Sequence, residues 1–206
     1  MLALDHVILG SADPDASADR LRRDHGLGSV AGGRHEGRGT ANRVVPLGPD
    51  YLEIVGVVDE EEARGDDFGR WVVEGVAGGE RLLGWCLRTP DIDEVAGRLD
   101  LEVTSWTRTR PDGRSLRWRL AGLPQAMLQA CLPFFIQWEI PADLHPGREP
   151  AEHRSSGIGW VEVSGPRDRV RRWLGDADLP VRVEEGAPAV RAVGIALDDR
   201  EVEIRP

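Results

Sequence analysis

Apolar and polar residues alternate in short runs along this chain, a pattern typical of β-strands. The first run, LDHVILG at residues 4–10, places Leu4, His6 and Ile8 on one face of a strand. A histidine among apolar neighbours is most often a hydrogen-bonded core residue. The run therefore raises the question of what His6 does there.

A helix and three further strands are predicted after this run. Asp13 is suited to cap the helix, Pro14 to occupy its first turn, and Gly26 to end it. Strand-like runs then follow at residues 28–35, 41–48 and 51–58. The predicted order is strand, helix, strand, strand, strand.

The same order returns at residues 82–140 and again at residues 157–206. In the second copy, Ile92, Val95 and Leu99 have the spacing of an amphipathic helix. The sequence PDG at residues 111–113 predicts a turn between two of its strands. The pattern therefore predicts an α+β fold built from repeated βαβββ modules.

Two polar segments separate the copies. Residues 59–80 are acidic and rich in glycine, which favours a solvated face or an exposed turn. Residues 141–156 are rich in proline and charge, and we expect His145 and His153 to be exposed there. The predicted divisions are modules at 1–60 and 80–140 that pair into one unit of residues 1–140, a linker at 141–154, and a third module at 155–206.

Alignment of the copies brings chemistry-bearing residues to equivalent positions. His6 falls against Trp85 in the first strand, and Glu53 falls against Glu139 and Glu203 in the last strand. A glutamate inside an apolar strand is costly to bury unless it is paired, protonated or bound to a metal. Its recurrence therefore favours a functional role.

Composition excludes several partners and reactions. The net charge of -10 argues against nucleic acid or an anionic membrane as a partner. The chain has no lysine, which excludes Schiff-base chemistry through that residue. There is no long apolar run and no signal-peptide pattern, so we expect a cytoplasmic protein. Cys86 and Cys131 lie in apolar runs and are expected to be buried free thiols.

The repeat, with histidine in a first strand and glutamate in a last strand, resembles the vicinal oxygen chelate superfamily. Within it, LDHVILG, GGRHEGRGTANRVVPLG, YLEIVGV and LPFFIQWE are similar to glyoxalase-like domain proteins. The resemblance covers residues 1 to about 140 well and the rest more weakly. It implies two paired modules that form a curved mixed sheet around a cleft, with a third module following.

The resemblance also implies a divalent metal ion held by the first and last strands of both modules. Those positions here are His6, Glu53, Trp85 and Glu139. Imidazole and carboxylate groups suit Zn, Ni, Mn, Fe or Co, whereas an indole cannot bind a metal. Either His6, Glu53 and Glu139 hold the ion, or the ion is absent. His35 could be a fourth ligand, a substrate contact or an exposed turn residue.

Two functions remain open at this point. In the first, the ion polarises a small oxygen-bearing substrate, and Glu53 and Glu139 act as catalytic groups in lyase, isomerase or dioxygenase chemistry. In the second, a metal-free protein binds or sequesters a small molecule, as in the bleomycin-resistance branch of the superfamily. A purely structural His6–Glu53 hydrogen bond is the simplest alternative to both.

Candidate substrate contacts surround these residues. Arg38, Asn42 and Arg43 could hold an anionic or carbonyl substrate, although ordinary strand-edge polarity accounts for them equally well. His35 would be a further contact, and Trp85 would form an apolar wall of the cleft. The third module would either pack on the first two or pair with its copy in a homodimer, because an uncovered sheet is a liability.

Overall fold

The computed structural model describes residues 1–110 and 112–206, so Pro111 of the predicted PDG turn lies outside the described residues. Within these residues the fold is α+β, with twelve strands and six α-helices. Eight strands close into a barrel, and four form a separate sheet. No helix among the described residues is long and apolar enough to cross a membrane.

The first half of the barrel follows the predicted order of elements. Asp13 caps the helix by accepting a hydrogen bond from the backbone N–H of Ala16, and Gly26 ends it with a φ of 73°. The elements are β1 (Ala3–Gly10), α1 (Pro14–His25), β2 (Val30–His35), β3 (Thr40–Pro46) and β4 (Tyr51–Val57).

The acidic segment after β4 is helical, so an exposed turn is wrong for it, whereas most of its charged residues are exposed as predicted for a solvated face. It forms α2 (Glu60–Arg64) and α3 (Asp67–Val76). Acidic residues at the start of a helix are stabilised by the helix dipole, and apolar side chains four residues apart then share one face. Phe68 and Val72 have that spacing, and both are buried against the barrel interior.

The second half of the barrel and the C-terminal sheet complete the chain. The second half consists of β5 (Arg81–Arg88), α4 (Ile92–Leu99), β6 (Val103–Thr109), β7 (Ser115–Ala121), α5 (Leu123–Leu128) and β8 (Phe134–Trp138). Two short 3-10 turns, Ala142–Leu144 and Pro146–Arg148, lie in the following loop. The C-terminal part consists of β9 (Ser155–Ser164), α6 (Arg167–Leu174), β10 (Val181–Glu184), β11 (Ala189–Leu197) and β12 (Glu201–Ile204).

The barrel strands run in the order β1-β4-β3-β2-β6-β7-β8-β5. The two halves therefore have the same strand order, in which the first and last strands of each half pair in parallel. The β1–β5 ladder joins the halves on one side, and the β2–β6 contact closes the barrel on the other. Strands therefore surround the interior on all sides.

The β1–β5 ladder fixes which residues of the two halves correspond. Val7 pairs with Trp85 at the centre of the ladder. The ladder has one register shift before this pair and one after it, both at the same distance from the pair. A two-fold relation about the pair makes Val7 equivalent to Trp85, and His6 equivalent to Gly84. Because neighbouring side chains in a strand point to opposite faces, Trp85 faces away from the side on which His6 lies.

The C-terminal part has the predicted order of strand, helix and three strands, but its sheet does not repeat the strand order of the barrel halves. Its order is β10-β9-β11-β12, with β9 and β10 parallel. Helix α6 returns the chain beside β9, which leaves β12 as an edge strand paired only with β11 among the described strands. Glu203 on that edge is exposed and is not equivalent to Glu53.

The C-terminal sheet packs on the outer face of the barrel. Trp85 and Leu87 of β5 share one apolar core with Ile158, Val193 and Ile195 of that sheet. Burial of apolar surface of this kind is the main stabilising contribution to such a contact. The sheet is therefore covered within one chain, and the alternative of a homodimer stays a prediction.

Asp50, in the turn before β4, also ties the barrel to the C-terminal sheet. Its carboxylate accepts a hydrogen bond from the backbone N–H of Ile158 at 2.9 Å, and the residue is 5% exposed. Burial raises the pKa of Asp50 to about 7, although the hydrogen bond from Ile158 and the charge of Arg88 oppose the rise. This carboxyl group therefore binds a proton more tightly in the folded chain than in the unfolded chain.

The Asp50→Asn variant is expected to lose part of the pH dependence of stability. The folded protein keeps a proton that the unfolded chain releases above about pH 4, so Asp50 makes native stability fall as pH rises from about 4 to about 7. The asparagine carbonyl accepts the same hydrogen bond without titrating. In urea unfolding, the free energy of unfolding of the native protein should fall by roughly 4 kcal/mol relative to that of the variant across that pH range. A difference that stays constant with pH would contradict the assignment.

Candidate functional site

A cavity inside the barrel brings together aromatic walls and a few polar groups. About 440 Å3 of space lies among its walls when open solvent is included, and the centres of water-sized molecules can occupy about 40 Å3 of it. The aromatic walls are Tyr51, Phe68, Trp106, Trp118, Phe134 and Trp138. The polar residues on the lining are His6, His35, Glu53 and Arg108. A mainly apolar cavity with few convergent polar groups is the usual form of a small-molecule site.

Asp5 and His6 form a buried pair at the start of the cavity wall. The register of β1 against β5 shifts between Leu4 and His6, so Asp5 is an extra residue without a partner in the ladder. Such irregularities redirect a side chain. The Asp5 carboxylate is fully buried and lies 2.7 Å from Nδ1 of the His6 ring.

Two further groups hold the other oxygen of the Asp5 carboxylate. Nε2 of His145 lies 3.1 Å from it, and the indole N–H of Trp138 donates to it at 3.0 Å. Burial alone would raise the pKa of Asp5, but the hydrogen bonds from His145 and His6 outweigh it and hold the pKa below its usual range. His145 is therefore buried, and the prediction that it is exposed is wrong.

The hydrogen bonds assign the tautomers of both histidines. Nδ1 of His145 accepts a hydrogen bond from the backbone N–H of Gly147 at 3.1 Å, so its proton lies on Nε2 and is donated to Asp5. The ionised Asp5 can only accept, so His6 donates from Nδ1. A neutral His6 then presents an unprotonated Nε2, which lies 3.7 Å from the Glu53 carboxylate.

Glu53 lies between two histidines and is held by an amide. Nε2 of His35 is 3.6 Å from one Glu53 oxygen, and the Asn42 side-chain N–H2 donates to the same oxygen. Asn42 in turn accepts a hydrogen bond from Arg108 at 2.8 Å. A side chain at Gly32 would collide with Asn42, because its Cβ would lie 2.0 Å from the amide oxygen. Glycine there gives Asn42 the room to reach Glu53.

His35 lies inside the cavity rather than in an exposed turn. Its Nδ1 is 2.9 Å from the Thr40 hydroxyl, and its ring meets Phe68 edge-on. Burial lowers the pKa of His35 to about 4, and the positive charges of Arg108 and Arg38 act in the same direction, against the attraction of Glu53. His35 is therefore a neutral imidazole near pH 7.

The structure separates the predicted arginine contacts. Arg38 lies at the cavity rim, where its guanidinium stacks 3.4 Å above the Trp106 ring and pairs with Asp66 at 2.7 Å. Arg43 points away from the cavity, because alternation along β3 places Asn42 inside and Arg43 outside. Its guanidinium donates to Asp15 on the outer surface. The prediction that Arg43 contacts a substrate in the cleft is therefore wrong, because Arg43 does not line the cavity.

Trp85 is also outside the cavity. It is fully buried in the core between the barrel and the C-terminal sheet, and its indole N–H donates to the carbonyl of Cys131 at 3.3 Å. Trp85 is equivalent to Val7, not to His6, so its face of the strand is the outer one. The predicted role as a cleft wall is wrong for this reason.

Glu139 lies outside the cavity as well. It is exposed and follows the last residue of β8. Ile8 pairs with Glu53, and Cys86, the equivalent of Ile8, pairs with Phe134. Phe134 is therefore the equivalent of Glu53, and the sequence alignment of Glu139 with Glu53 is wrong. The predicted grouping of Glu139 with His6 and Glu53 does not form.

The residues do not form the ligand set that the resemblance implies, because that set draws on both halves of the barrel. Within the first half, His6 and His35 both bring Nε2 to within 3.7 Å of the Glu53 carboxylate. The equivalents of His6 and Glu53 in the second half are Gly84 and Phe134, which offer no ligand atom. Among the described residues, one group of three has all its ligand atoms within 4.8 Å: Asp5, His6 and Cys86. In this group Nδ1 of His6 and the Asp5 carboxylate are 2.7 Å apart and form a hydrogen bond with each other. Burial also raises the pKa of the Cys86 thiol well above its usual range.

Four residues of the site are missing from the sequence-based candidates: Asp5, Arg108, Trp138 and His145. Asp5 directly precedes His6, but strand alternation places it on the opposite face unless a register shift is known. Arg108 lies two residues after Trp106 and so shares its face, a signal that alternation does contain. His145 lies in a loop, where no periodicity exists to place it.

His35 should make stability depend on pH in the opposite sense to Asp50. Its folded pKa is lower than its unfolded value, so the folded state resists protonation, and stability falls as pH drops from about 6.5 to about 4. In urea unfolding, the free energy of unfolding of the native protein should fall by roughly 3 kcal/mol relative to that of a His35→Gln variant as pH drops across that range. An NMR titration that shows the His35 ring becoming protonated near pH 6.5 would contradict this.

Comparison with solved structures places the fold. A hypothetical protein from Staphylococcus aureus is 21% identical, with a TM-score of 0.67 over 100% of this chain and 86% of that chain. A variant of Streptomyces coelicolor methylmalonyl-CoA epimerase, in complex with 2-nitronate-propionyl-CoA, is 18% identical, with a TM-score of 0.50 over 68% of this chain and 100% of that chain. At these identities the likeness shows the fold alone.

Comparison of sequences places the family. Among curated proteins, none matches this chain. The family model of the glyoxalase-like domain matches residues 4–177, which include the whole barrel and the first strand and helix of the C-terminal sheet. The chain therefore belongs to the glyoxalase-like domain family, within the vicinal oxygen chelate superfamily that its repeated strands resemble.

Proposed function

We propose that this protein is an isomerase-type enzyme that moves a proton on a small carbonyl compound bound in the barrel cavity. The observation that carries the proposal is the buried Asp5–His6 pair, whose geometry leaves Nε2 of His6 facing the cavity 3.7 Å from Glu53. Ionisable groups that converge in a cavity favour a functional site.

His6 is the proton acceptor in this proposal. A neutral imidazole with a free Nε2 can remove a proton from a carbon next to a carbonyl group. The positive charge that then forms on the ring is stabilised by Asp5, which is already ionised and bonded to Nδ1. The arrangement is the one by which an aspartate orients and stabilises a histidine base.

Glu53 and the neutral His35 would act on the same bound substrate, beside His6. Asn42 fixes the Glu53 carboxylate, so this group can receive or return a proton without a large rearrangement. A neutral imidazole can donate a hydrogen bond to a carbonyl oxygen as negative charge develops there. The roles of Glu53 in catalysis and of His35, Arg38 and Asn42 in binding are proposals on this basis.

The proposed reaction needs no divalent ion. The predicted ligands His6 and Glu53 lie at the cavity, but the second half of the barrel offers glycine and phenylalanine at the corresponding positions. His6 and Glu53 are therefore assigned to proton transfer rather than to metal binding.

A metal-free binding protein is the second candidate function. The observation that favours it is the lining of six aromatic side chains, which suits an apolar ligand whether or not a reaction follows. The two candidates differ in one outcome, since only an enzyme accelerates proton exchange on the bound molecule.

Solvent-deuterium exchange tests the proposed reaction. The probes are phenylpyruvate and 4-phenyl-2-butanone, which both carry exchangeable C–H bonds next to a carbonyl group. In D2O, the native protein should accelerate loss of the C–H proton signal of at least one probe, measured by NMR. The His6→Gln variant should lower that rate by about 10²- to 10⁴-fold, because it removes the base.

His153→Gln is the matched control, since His153 lies outside the cavity and bridges Gly28 and the carbonyl of Pro46. It should exchange at the native rate. Binding of the probes without any exchange would overturn the enzymatic proposal in favour of the binding protein. Loss of exchange after treatment with EDTA, with recovery on adding Zn²⁺ or Mn²⁺, would contradict the metal-free reaction.

A further inference from the structure

We propose that Arg108 is a carboxylate-binding residue, and that the natural ligand of the cavity is a compact organic anion with an apolar body. The inference names the substrate class for the site described above, and its chemistry therefore rests on the proposed function. The binding step can nevertheless be tested by itself, because anion recognition does not require proton transfer.

Arg108 is a buried cation without a counterion in contact. The residue is 5% exposed, and its Nη1 donates to the Asn42 amide oxygen at 2.8 Å. Its buried Nε–H finds no hydrogen-bond partner in the described part of the chain. Arginine is rarely buried unless it is paired, because the loss of hydration has to be offset. An incoming anion would supply the missing partner.

Glu53 does not fill this role. The Asn42 side chain lies between the two charged groups, donating to Glu53 with its amide N–H2 and accepting from Arg108 with its oxygen. Among residues 1–110 and 112–206, no carboxylate is found within 4.0 Å of the Arg108 guanidinium. A guanidinium stays charged in proteins and presents its N–H groups in a planar fork that fits a carboxylate.

The position of Arg108 also fits the proposed chemistry. Arg108 on β6 and His6 on β1 line the same cavity, together with the aromatic walls. A carboxylate held by Arg108 would place the apolar part of the ligand among those rings. In this position, the ligand carbon next to the carbonyl group would face Nε2 of His6.

The rim of the cavity argues against a ligand that carries phosphate groups. A groove shares Phe68, Trp106, Leu120 and Leu123 with the cavity. Its charged residues are Asp66, Asp67, Glu102 and Arg38, and Arg38 is paired with Asp66. The rim is therefore net negative and would repel the phosphates of a coenzyme A thioester. A single carboxylate on a short molecule suits the site better.

Tryptophan fluorescence provides the binding assay, because Trp106, Trp118 and Trp138 line the cavity. The probes are benzoate, phenylacetate and phenylpyruvate, and phenylacetamide serves as the uncharged match for phenylacetate. The native protein should bind phenylacetate about 10- to 100-fold more tightly than phenylacetamide, as expected for a hydrogen bond between charged groups. The Arg108→Met variant should lose that preference.

Arg43→Met is the control, because Arg43 is a half-buried arginine of the same barrel that points outward. It should keep the native preference. Equal affinity of the native protein for the acid and the amide, or no binding of any carboxylate in the panel, would overturn the proposal even if the Arg108→Met variant failed to fold. So would a folded Arg108→Met variant that retains the preference.

The outcomes also separate this inference from the proposed reaction. A carboxylate preference that depends on Arg108, without deuterium exchange on phenylpyruvate, would support the anion site and count against proton transfer. Exchange that depends on His6, without any carboxylate preference, would support the reaction and overturn the role of Arg108.

Discussion

The buried carboxylate of Asp5 is the group on which the site depends. It accepts hydrogen bonds from three side chains that come from different parts of the chain: His6 on β1, Trp138 at the end of β8, and His145 in the following loop. A buried charge is tolerated when its hydrogen-bonding capacity is filled in this way. Removal of any one donor would leave part of the charge unsatisfied. The same contacts fix the His6 ring and the loop that follows β8.

The two halves of the barrel share a strand order but differ in chemistry. The first half supplies His6, Glu53, His35 and Asn42, whereas the equivalents of His6 and Glu53 in the second half are a glycine and a phenylalanine. The second half contributes aromatic walls and one cation, Arg108. The first half thus carries the groups suited to proton transfer, and the second half contributes aromatic walls of the cavity and a positive charge. This division is why a ligand set drawn from both halves does not form.

The sequence predicts the elements well and the register poorly. Alternation, capping residues and helical spacing identify the main strands and helices of the barrel, because these depend on local interactions. The equivalence of Trp85 with His6 fails because a register error of one residue moves every side chain of a strand to the opposite face. The register shift at Asp5 leaves no trace in the composition of the strand. The pairing of β9 with β10 also depends on long-range packing, which the order of the elements does not encode. His145 is beyond prediction for the same reason, since only tertiary contacts bring its loop to Asp5.

The tautomers of His6 and His145 show whether Asp5 holds both rings as described. Both are visible by ¹⁵N NMR of histidine-labelled protein near pH 7, without any ligand or substrate. We expect neutral His6 to carry its proton on Nδ1 and to have a free Nε2, and His145 to carry its proton on Nε2 and to have a free Nδ1. Neutral His6 with its proton on Nε2 would contradict this expectation, because that nitrogen could not then accept a proton from a bound substrate.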